Sequence, residues 1–307
     1  MTPNSELKTW ISGIPYELAF WNNIYRWDST FEGVTNWCRL GKSIQLEGFD
    51  AITFLSQFSQ PIVLDVGCGI SYAKGDQLPT QEGLKPLEVH YIDPLASYYN
   101  EIMKRHHREM PKVEFGMMEH LACTHKREGI KLVIIQNALD HSSNPLAGIL
   151  QSLHVLDIGG CLYLNHHPNE AETEHYKGFH KFNICTDDDH HLLIWNHQHR
   201  TVVDDLITPF ATIQTTTLPN GFVVSTLIKT ADVTPHLIDS QSETANLVKD
   251  QMMLIDLLQH PHHAIGLKLK YWYYNMVHFF VQSLPREKRM KLRTLVYSQG
   301  HKKKKTC

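Results

Sequence analysis

The chain has no run of about 18 apolar residues, so no segment is long enough to cross a bilayer as a helix. Residues 1–8 show no basic stretch leading into an apolar core, so a secretory signal is not expected. Net charge is nearly absent: 29 Lys and Arg face 32 Asp and Glu, giving −3 formally, so no global field recruits nucleic acid. There is no C-x-x-C pair among the six cysteines at 38, 68, 123, 161, 185 and 307, which predicts reduced thiols in a cytoplasmic protein. H-E-x-x-H is missing too, and between His166 and His199 the one H-x-H string is His197-Gln-His199, so no metal ligand set is assigned. No internal repeat is visible. At 307 residues the chain can bury a full core, and one α/β domain with elaborations fits better than two domains.

What is present begins with Pro61-Ile-Val-Leu-Asp65-Val-Gly67-Cys-Gly69, an apolar run that ends in an acid and a two-glycine turn. Glycines there remove Cβ atoms where backbone must approach a ligand. The chain continues Ile70-Ser-Tyr-Ala73, without the third glycine of the dinucleotide pattern, which disfavours a pyrophosphate cradle. Apolar runs then alternate with helical patterns. Strands are expected at 62–66, 89–92, 113–115, 131–135 and 161–165, with helices at 48–58, 94–108 and 145–156. Such alternation predicts a parallel sheet with helices on both faces. Pro219-Asn-Gly221 separates two β-rich runs, 211–218 and 222–229, and predicts a closing hairpin.

These strings resemble the class I S-adenosylmethionine-dependent methyltransferases. The resemblance implies a Rossmann-like, mostly parallel seven-stranded sheet closed by an antiparallel hairpin. An aromatic-rich helical cap (1–45, with Trp10, Tyr16, Phe20, Trp21, Tyr25, Trp27, Phe31 and Trp37) would precede the methyltransferase domain (46–233), and a helical extension with a basic tail (234–307) would follow. It also implies S-adenosyl-L-methionine as cofactor, with Asp65, Gly67 and Gly69 along its methionine end and Asp93 on the ribose hydroxyls. Asp93-Pro94 also reads as a helix start. Met117 and Met118, in Gly116-Met-Met-Glu-His, would edge the adenine where the family often has an acid, and equally read as core filler. Asn137 in Gln136-Asn-Ala-Leu-Asp-His141 would face the methyl donor.

The same loop carries the candidate chemistry. A hydroxyl acceptor needs a base, and His141 titrates near neutrality when unperturbed. Asp140 would orient it or cap the helix, and His166 is the next candidate. Eight of the 21 histidines fall between His166 and His199, six of them in a segment (168–200) read as an irregular, acceptor-side insert. His167, Glu170, Glu172, Tyr176 and His180 are the predicted acceptor contacts, and on a strand Glu170, Glu172 and Glu174 would share a face. His190, His191, His197 and His199 read as surface histidines. Strings such as Asp93–Asn100 and Asn169-Glu-Ala-Glu-Thr-Glu174 also resemble methyltransferase-like proteins associated with bacterial surface-polysaccharide biosynthesis. The function expected is O-methylation of a sugar or similar polar hydroxylated metabolite. Alternatives are small-molecule N-methylation, a nicotinamide-dependent oxidoreductase, and a non-catalytic binding protein on the same fold. In the extension, Tyr271, Trp272, Met276 and Phe279 are predicted to pack inward rather than onto a membrane.

Overall fold

The computed structural model describes residues 5–26, 37–125, 128–176, 178–234, 249, 265–285 and 287–289. Helix α1 (Ser5–Arg26) opens the chain, and α2 (Ala51–Leu55) is one short turn where a longer helix was expected. Then come β1 (Ile62–Val66), the hairpin β2 (Gln77–Thr80) and β3 (Gly83–Pro86), β4 (Glu88–Asp93), α3 (Ala96–Arg105), β5 (Glu114–Phe115) and α4 (Leu121–His125). Strand β6 (Ile130–Gln136), α5 (Pro145–Val155) and β7 (Cys161–His166) follow. After them lie α6 (Glu170–Thr173), β8 (Asn183–Thr186), β9 (Leu192–Trp195), β10 (Arg200–Val202), α7 (Val203–Ile207), β11 (Ala211–Thr217) and β12 (Val223–Lys229). Helix α8 (Ile265–Ser283) is the last element described.

The main sheet has seven strands in the order β11-β12-β7-β6-β1-β4-β5. Strands β5, β4, β1, β6 and β7 are parallel, whereas β12 runs antiparallel to both β7 and β11. This is a Rossmann-like, mostly parallel seven-stranded sheet closed by an antiparallel hairpin, as expected. Strand order reverses beside β1, so the carboxyl ends of β1, β4, β6 and β7 open onto one edge, where ligands bind in such sheets.

The central strands are apolar on both faces because helices cover both. Along β1, Leu64 and Val66 enter one core with Ile135, Leu139 and Leu153, while Val63 enters another with Leu132, Ile134 and Tyr163. Alternation along the strand sends neighbours to opposite layers. Asn144 caps α5 by accepting from the Ala147 N–H at 3.0 Å, and Pro145 supplies the preset φ of the first helical position.

Four expectations are corrected. The 168–200 segment is not irregular: β8, β9 and β10 form their own antiparallel sheet, in which buried Ile184, Leu192 and Ile194 join the main core. Glu170 and Glu172 sit on a helical turn, not a strand. Of the cap, where short helices were expected, the described residues 5–26 form one 22-residue helix with Pro15 inside it. Of the cysteines, Cys38, Cys68, Cys123 and Cys161 are free, but Cys185 is disulfide-bonded, against the expectation of reduced thiols throughout.

Helix α8 packs on α1 through a stripe at helical spacing. Tyr274 meets Tyr16 edge-on at 5.4 Å, His278 sits 5.7 Å from the Tyr16 ring, and the Asn275 carbonyl accepts from the Asn22 and Asn23 amides at 2.8 and 2.9 Å. Tyr271 packs against the α1 core as expected, but Trp272 is 63% exposed, and Met276 and Phe279 also face outward. The inward stripe is displaced by one residue, to 271, 274, 275 and 278. Among the described residues no helix is long and apolar enough to cross a membrane. The helices expected over 243–259 and 286–297 lie, apart from Lys249 and 287–289, outside the described residues, as do Trp27, Phe31 and the lysines at 302–305.

Candidate functional site

A cleft of about 760 Å³ lies over the carboxyl edge of the sheet, walled by α1. It has two halves, one on each side of the strand-order reversal.

The first half is built by the loop after β1. Gly67 and Gly69 have φ of +67° and +53°, a region that favours glycine. A Cβ on Gly67 would overlap the Ala138 side chain, and one on Gly69 would stand 2.5 Å from the Trp21 ring. The loop is pinned across β4 by the Gly67 and Cys68 N–H groups, which donate to the Ile92 carbonyl at 2.8 and 3.2 Å. Asp93 then ties the two strand ends together, accepting from the Gly69 N–H at 3.1 Å and the Leu95 N–H at 2.9 Å. It is not the cap of α3: that place falls to Leu95, which makes no side-chain cap. Burial raises the Asp93 carboxyl to about 7 despite those two donors.

Asp65 lies beneath the loop rather than in the cleft. It is buried, neither carboxylate oxygen has a hydrogen bond, and the Lys74 ammonium stands 3.5 Å away. Burial raises the Asp65 carboxyl, and Lys74 opposes the rise. Lys74, itself buried, is the member of the pair that reaches the cleft wall. After β5, Met117 and Met118 both line the cleft, and Met118 also enters the core beneath, so it serves as filler and wall together. The acid missing at position 117 appears two residues later. Glu119 is buried at the cleft and accepts from the Ser143 N–H and hydroxyl at 2.7 and 2.8 Å.

The second half is built by the turn after β6. Asn137 adopts φ +49°, sends its N–H to the Asn165 carbonyl at 2.9 Å, and accepts from the His167 N–H at 3.1 Å. This stitches the ends of β6 and β7 together. Residues Leu139–His141 then form a 3₁₀ turn. Asp140 is buried, and its Oδ2 lies 2.8 Å from His180 Nδ1 and 3.5 Å from His141 Nε2. His141 Nε2 and His180 Nδ1 are 3.2 Å apart. Burial opposes ionisation of Asp140, but the imidazoles of His141 and His180 outweigh it and bring the carboxyl down to about 2. Burial lowers the His180 imidazole, yet Asp140 more than compensates, and the net direction is upward.

Around this triangle stand Glu170, Glu174, His167 and Phe179. Burial, reinforced by Asp140, raises Glu170 to about 7. His167 packs on Phe222, with ring centroids 4.0 Å apart. Helix α1 reaches this half as well: the Trp10 indole N–H donates to the His141 carbonyl at 3.2 Å, and its ring lies 5.1 Å from Phe179.

The cleft therefore brings together Gly67, Gly69, Asp93, Met117, Met118, Asn137, His141, His167, Glu170 and His180. Asp65, Asp140 and His166 lie behind its wall. His166 is fully buried with neither ring nitrogen hydrogen-bonded, and burial drops it to about 4. Glu172 and Tyr176 do not line the cleft. Tyr176 accepts from the Asn183 amide at 2.8 Å and stacks on His197 at 4.0 Å. Sequence reasoning missed Lys74, Glu119 and Phe179. Two signals were available: Glu119 closes the Gly-Met-Met-Glu string, and Lys74 follows the glycine loop.

No protein-family model matches the chain, and no curated protein matches it in sequence. Among solved structures, it is similar to an rRNA methylase of Streptococcus thermophilus at 16% identity, over 59% of this chain and 94% of that one, with a TM-score of 0.35. It is similar to a SAM-dependent methyltransferase of Thermotoga maritima at 17% identity, over 58% of this chain and 89% of that one, also at 0.35. The N-methyltransferase NodS of Bradyrhizobium japonicum, in complex with S-adenosyl-L-homocysteine, aligns at 11% identity over 57% of this chain and 81% of that one, again at 0.35. Likeness at this level carries nothing about activity, which rests on the cleft itself.

Proposed function

We propose that the chain is an S-adenosylmethionine-dependent methyltransferase acting on a sugar or another polar, hydroxylated small molecule. The observation that carries this reading is the division of one cleft by the strand-order reversal. A glycine loop and a buried acid lie on one side, and a cluster of imidazoles and carboxylates on the other.

The first half fits the donor by its chemistry. Side-chain-free backbone at Gly67 and Gly69 would admit the methionine chain, and Lys74 would meet its carboxylate. Asp93, once ionised, would accept from the ribose hydroxyls. Met117 and Met118 would pack on the purine face, and Glu119 would accept from its amino group. When bound, the donor supplies a methyl group on a sulfonium, which needs no acid from the protein.

The protein's part is alignment and proton removal. His141 is the candidate base, Asp140 the group that orients it, and Glu170, His167 and His180 the contacts that hold the acceptor. A wall rich in carboxylates and imidazoles suits many hydroxyls better than one apolar ring. Trp10, Trp21 and Phe179 on and under α1 would keep water from the reacting oxygen.

Calorimetry with S-adenosylmethionine and, separately, NAD tests the donor, with binding of the first alone expected. Formation of S-adenosylhomocysteine is then followed with panels of sugars, other polyols and amines. Turnover with hydroxylated acceptors supports the reading, turnover with amines alone moves it to N-methylation, and absence of donor binding removes it.

A further inference from the structure

We propose that Asp140, His141 and His180 form a divalent-metal site of the two-histidine, one-carboxylate kind, open toward the cleft. The three candidate ligand atoms, Asp140 Oδ2, His141 Nε2 and His180 Nδ1, form a triangle with edges of 2.8, 3.2 and 3.5 Å. Ligands about 2.0–2.2 Å from one ion and about 90–109° apart lie roughly 2.8–3.6 Å from each other. All three edges fall in that range, and among the described residues this is the one His, Cys, Asp and Glu group that gathers so.

Hydrogen bonding alone accounts poorly for the triangle. His180 Nδ1 is the shared corner of its two short edges and carries at most one proton. If that proton points at Asp140, it cannot also point at His141, and a 3.2 Å contact between two ring nitrogens needs a proton between them. Asp140 is 3% exposed, and its second oxygen, Oδ1, has no hydrogen-bond partner. The two ring nitrogens of buried His166, in the same neighbourhood, have none either. Buried polar atoms left unpaired in such numbers mark a place for an ion or ordered water.

The donor set narrows the ion. Magnesium and calcium prefer oxygen ligands throughout. Two imidazoles with one carboxylate favour zinc, ferrous iron or cobalt. Three protein ligands leave coordination positions open, and His141 and His180 line the cleft beside Glu170 and Glu174. Those positions face the space assigned to the acceptor. Resting on the function proposed above, the ion would take one or two neighbouring hydroxyl oxygens of the acceptor and hold them opposite the donor half; with Nε2 on the ion His141 would act as ligand in place of base, and Glu170, beside it in the cleft, would take the proton. The ion site itself does not depend on that reading.

The test uses the full chain, treated with chelator and freed of any affinity tag, with neither donor nor acceptor present. Co²⁺ is titrated by visible absorption and displaced by Zn²⁺ in a calorimeter. One ion per chain is expected, with two exchangeable, strongly shifted imidazole N–H resonances in the cobalt form. Asp140→Asn and His180→Ala should each weaken binding by about 100-fold or more, as second-shell losses alone can cost 10–100-fold. His191→Ala, on an exposed imidazole paired with Asp187 outside the cleft, should leave it unchanged. No stoichiometric binding by the unsubstituted chain, or binding that survives the His141→Ala/His180→Ala double substitution, overturns the site. The unsubstituted protein's resonances decide the matter even if a variant fails to fold. Donor affinity is measured on the same samples. Metal without donor binding sinks the methyltransferase reading alone, and donor without metal sinks this site alone.

Discussion

The two halves of the cleft are put together in different ways. The donor half is local: residues 65–74, 93–95 and 116–119 each follow directly on a parallel strand, and once β1 and β4 pair in register their loops are adjacent. The acceptor half is assembled over long separations. His141 meets His180 across 39 residues, Asp140 meets His180 across 40, and Trp10 meets His141 across 131. Strand-end loops on a doubly wound sheet are held by the sheet itself. A site spanning a loop, an inserted sheet and an N-terminal helix exists only when all three dock.

Variants that separate the halves test that contrast. The largest effect is expected from His141→Ala, which should lower turnover by about 10²-fold or more while donor affinity stays within a few-fold. Equal damage to donor binding, measured by calorimetry, would mean that the halves are not independent. Asp93→Ala should do the reverse, weakening donor binding by about 1.5–3 kcal/mol and leaving acceptor KM alone, as expected for lost hydrogen bonds to a charged group. An unchanged affinity would remove the ribose assignment.

Gly67→Ala should cost about 1–3 kcal/mol, from strain at φ +67° and overlap with Ala138, read as a lower melting temperature together with weaker donor binding. Loss of stability without loss of donor affinity would show that the loop is only structural.

A smaller effect concerns pH. Burial holds the Asp93 carboxyl at about 7, above its ordinary range, so the folded protein binds a proton there that the unfolded chain has released. In the free protein this contribution to stability is present below the ordinary carboxylate range and lost as pH rises through about 7. Donor binding, which needs the ionised form, should run the other way, weakening as pH falls from 8 to 6. Asp93→Asn should flatten both curves; titrations of melting temperature and of donor affinity check the opposed slopes. Smallest of all, Glu172→Gln and Tyr176→Phe should leave acceptor KM within about twofold, because neither residue lines the cleft. A larger rise would restore them to the acceptor wall.

Residue type and order determined the sheet and the glycine turn at the cleft. Ile62, Val63 and Leu64 before Asp65 fit a strand buried on both faces, two glycines must follow where no Cβ fits, and Pro219-Asn-Gly221 turns a hairpin. Those are nearest-neighbour constraints, and they can be read without knowing what packs where. The extent of the insert's order was not legible, because Ile184 and the Leu192-Leu-Ile194 run are separated by the polar stretch 186–191 and become a core only against Val203 and Phe210. Nor was the outward turn of Trp272, since a helix with aromatics at 271–274 offers several stripes and only the face of α1 selects one. The sequence placed Asp140 and His141 side by side but gave no reason to set His180 against them. Bringing three ligand atoms within 3.5 Å depends on the Lys181 N–H donating to the Asp140 carbonyl and on Phe179 lodging between Trp10 and His141. Such convergence comes from packing over long loops, whose closure cost carries no signature in local residue order.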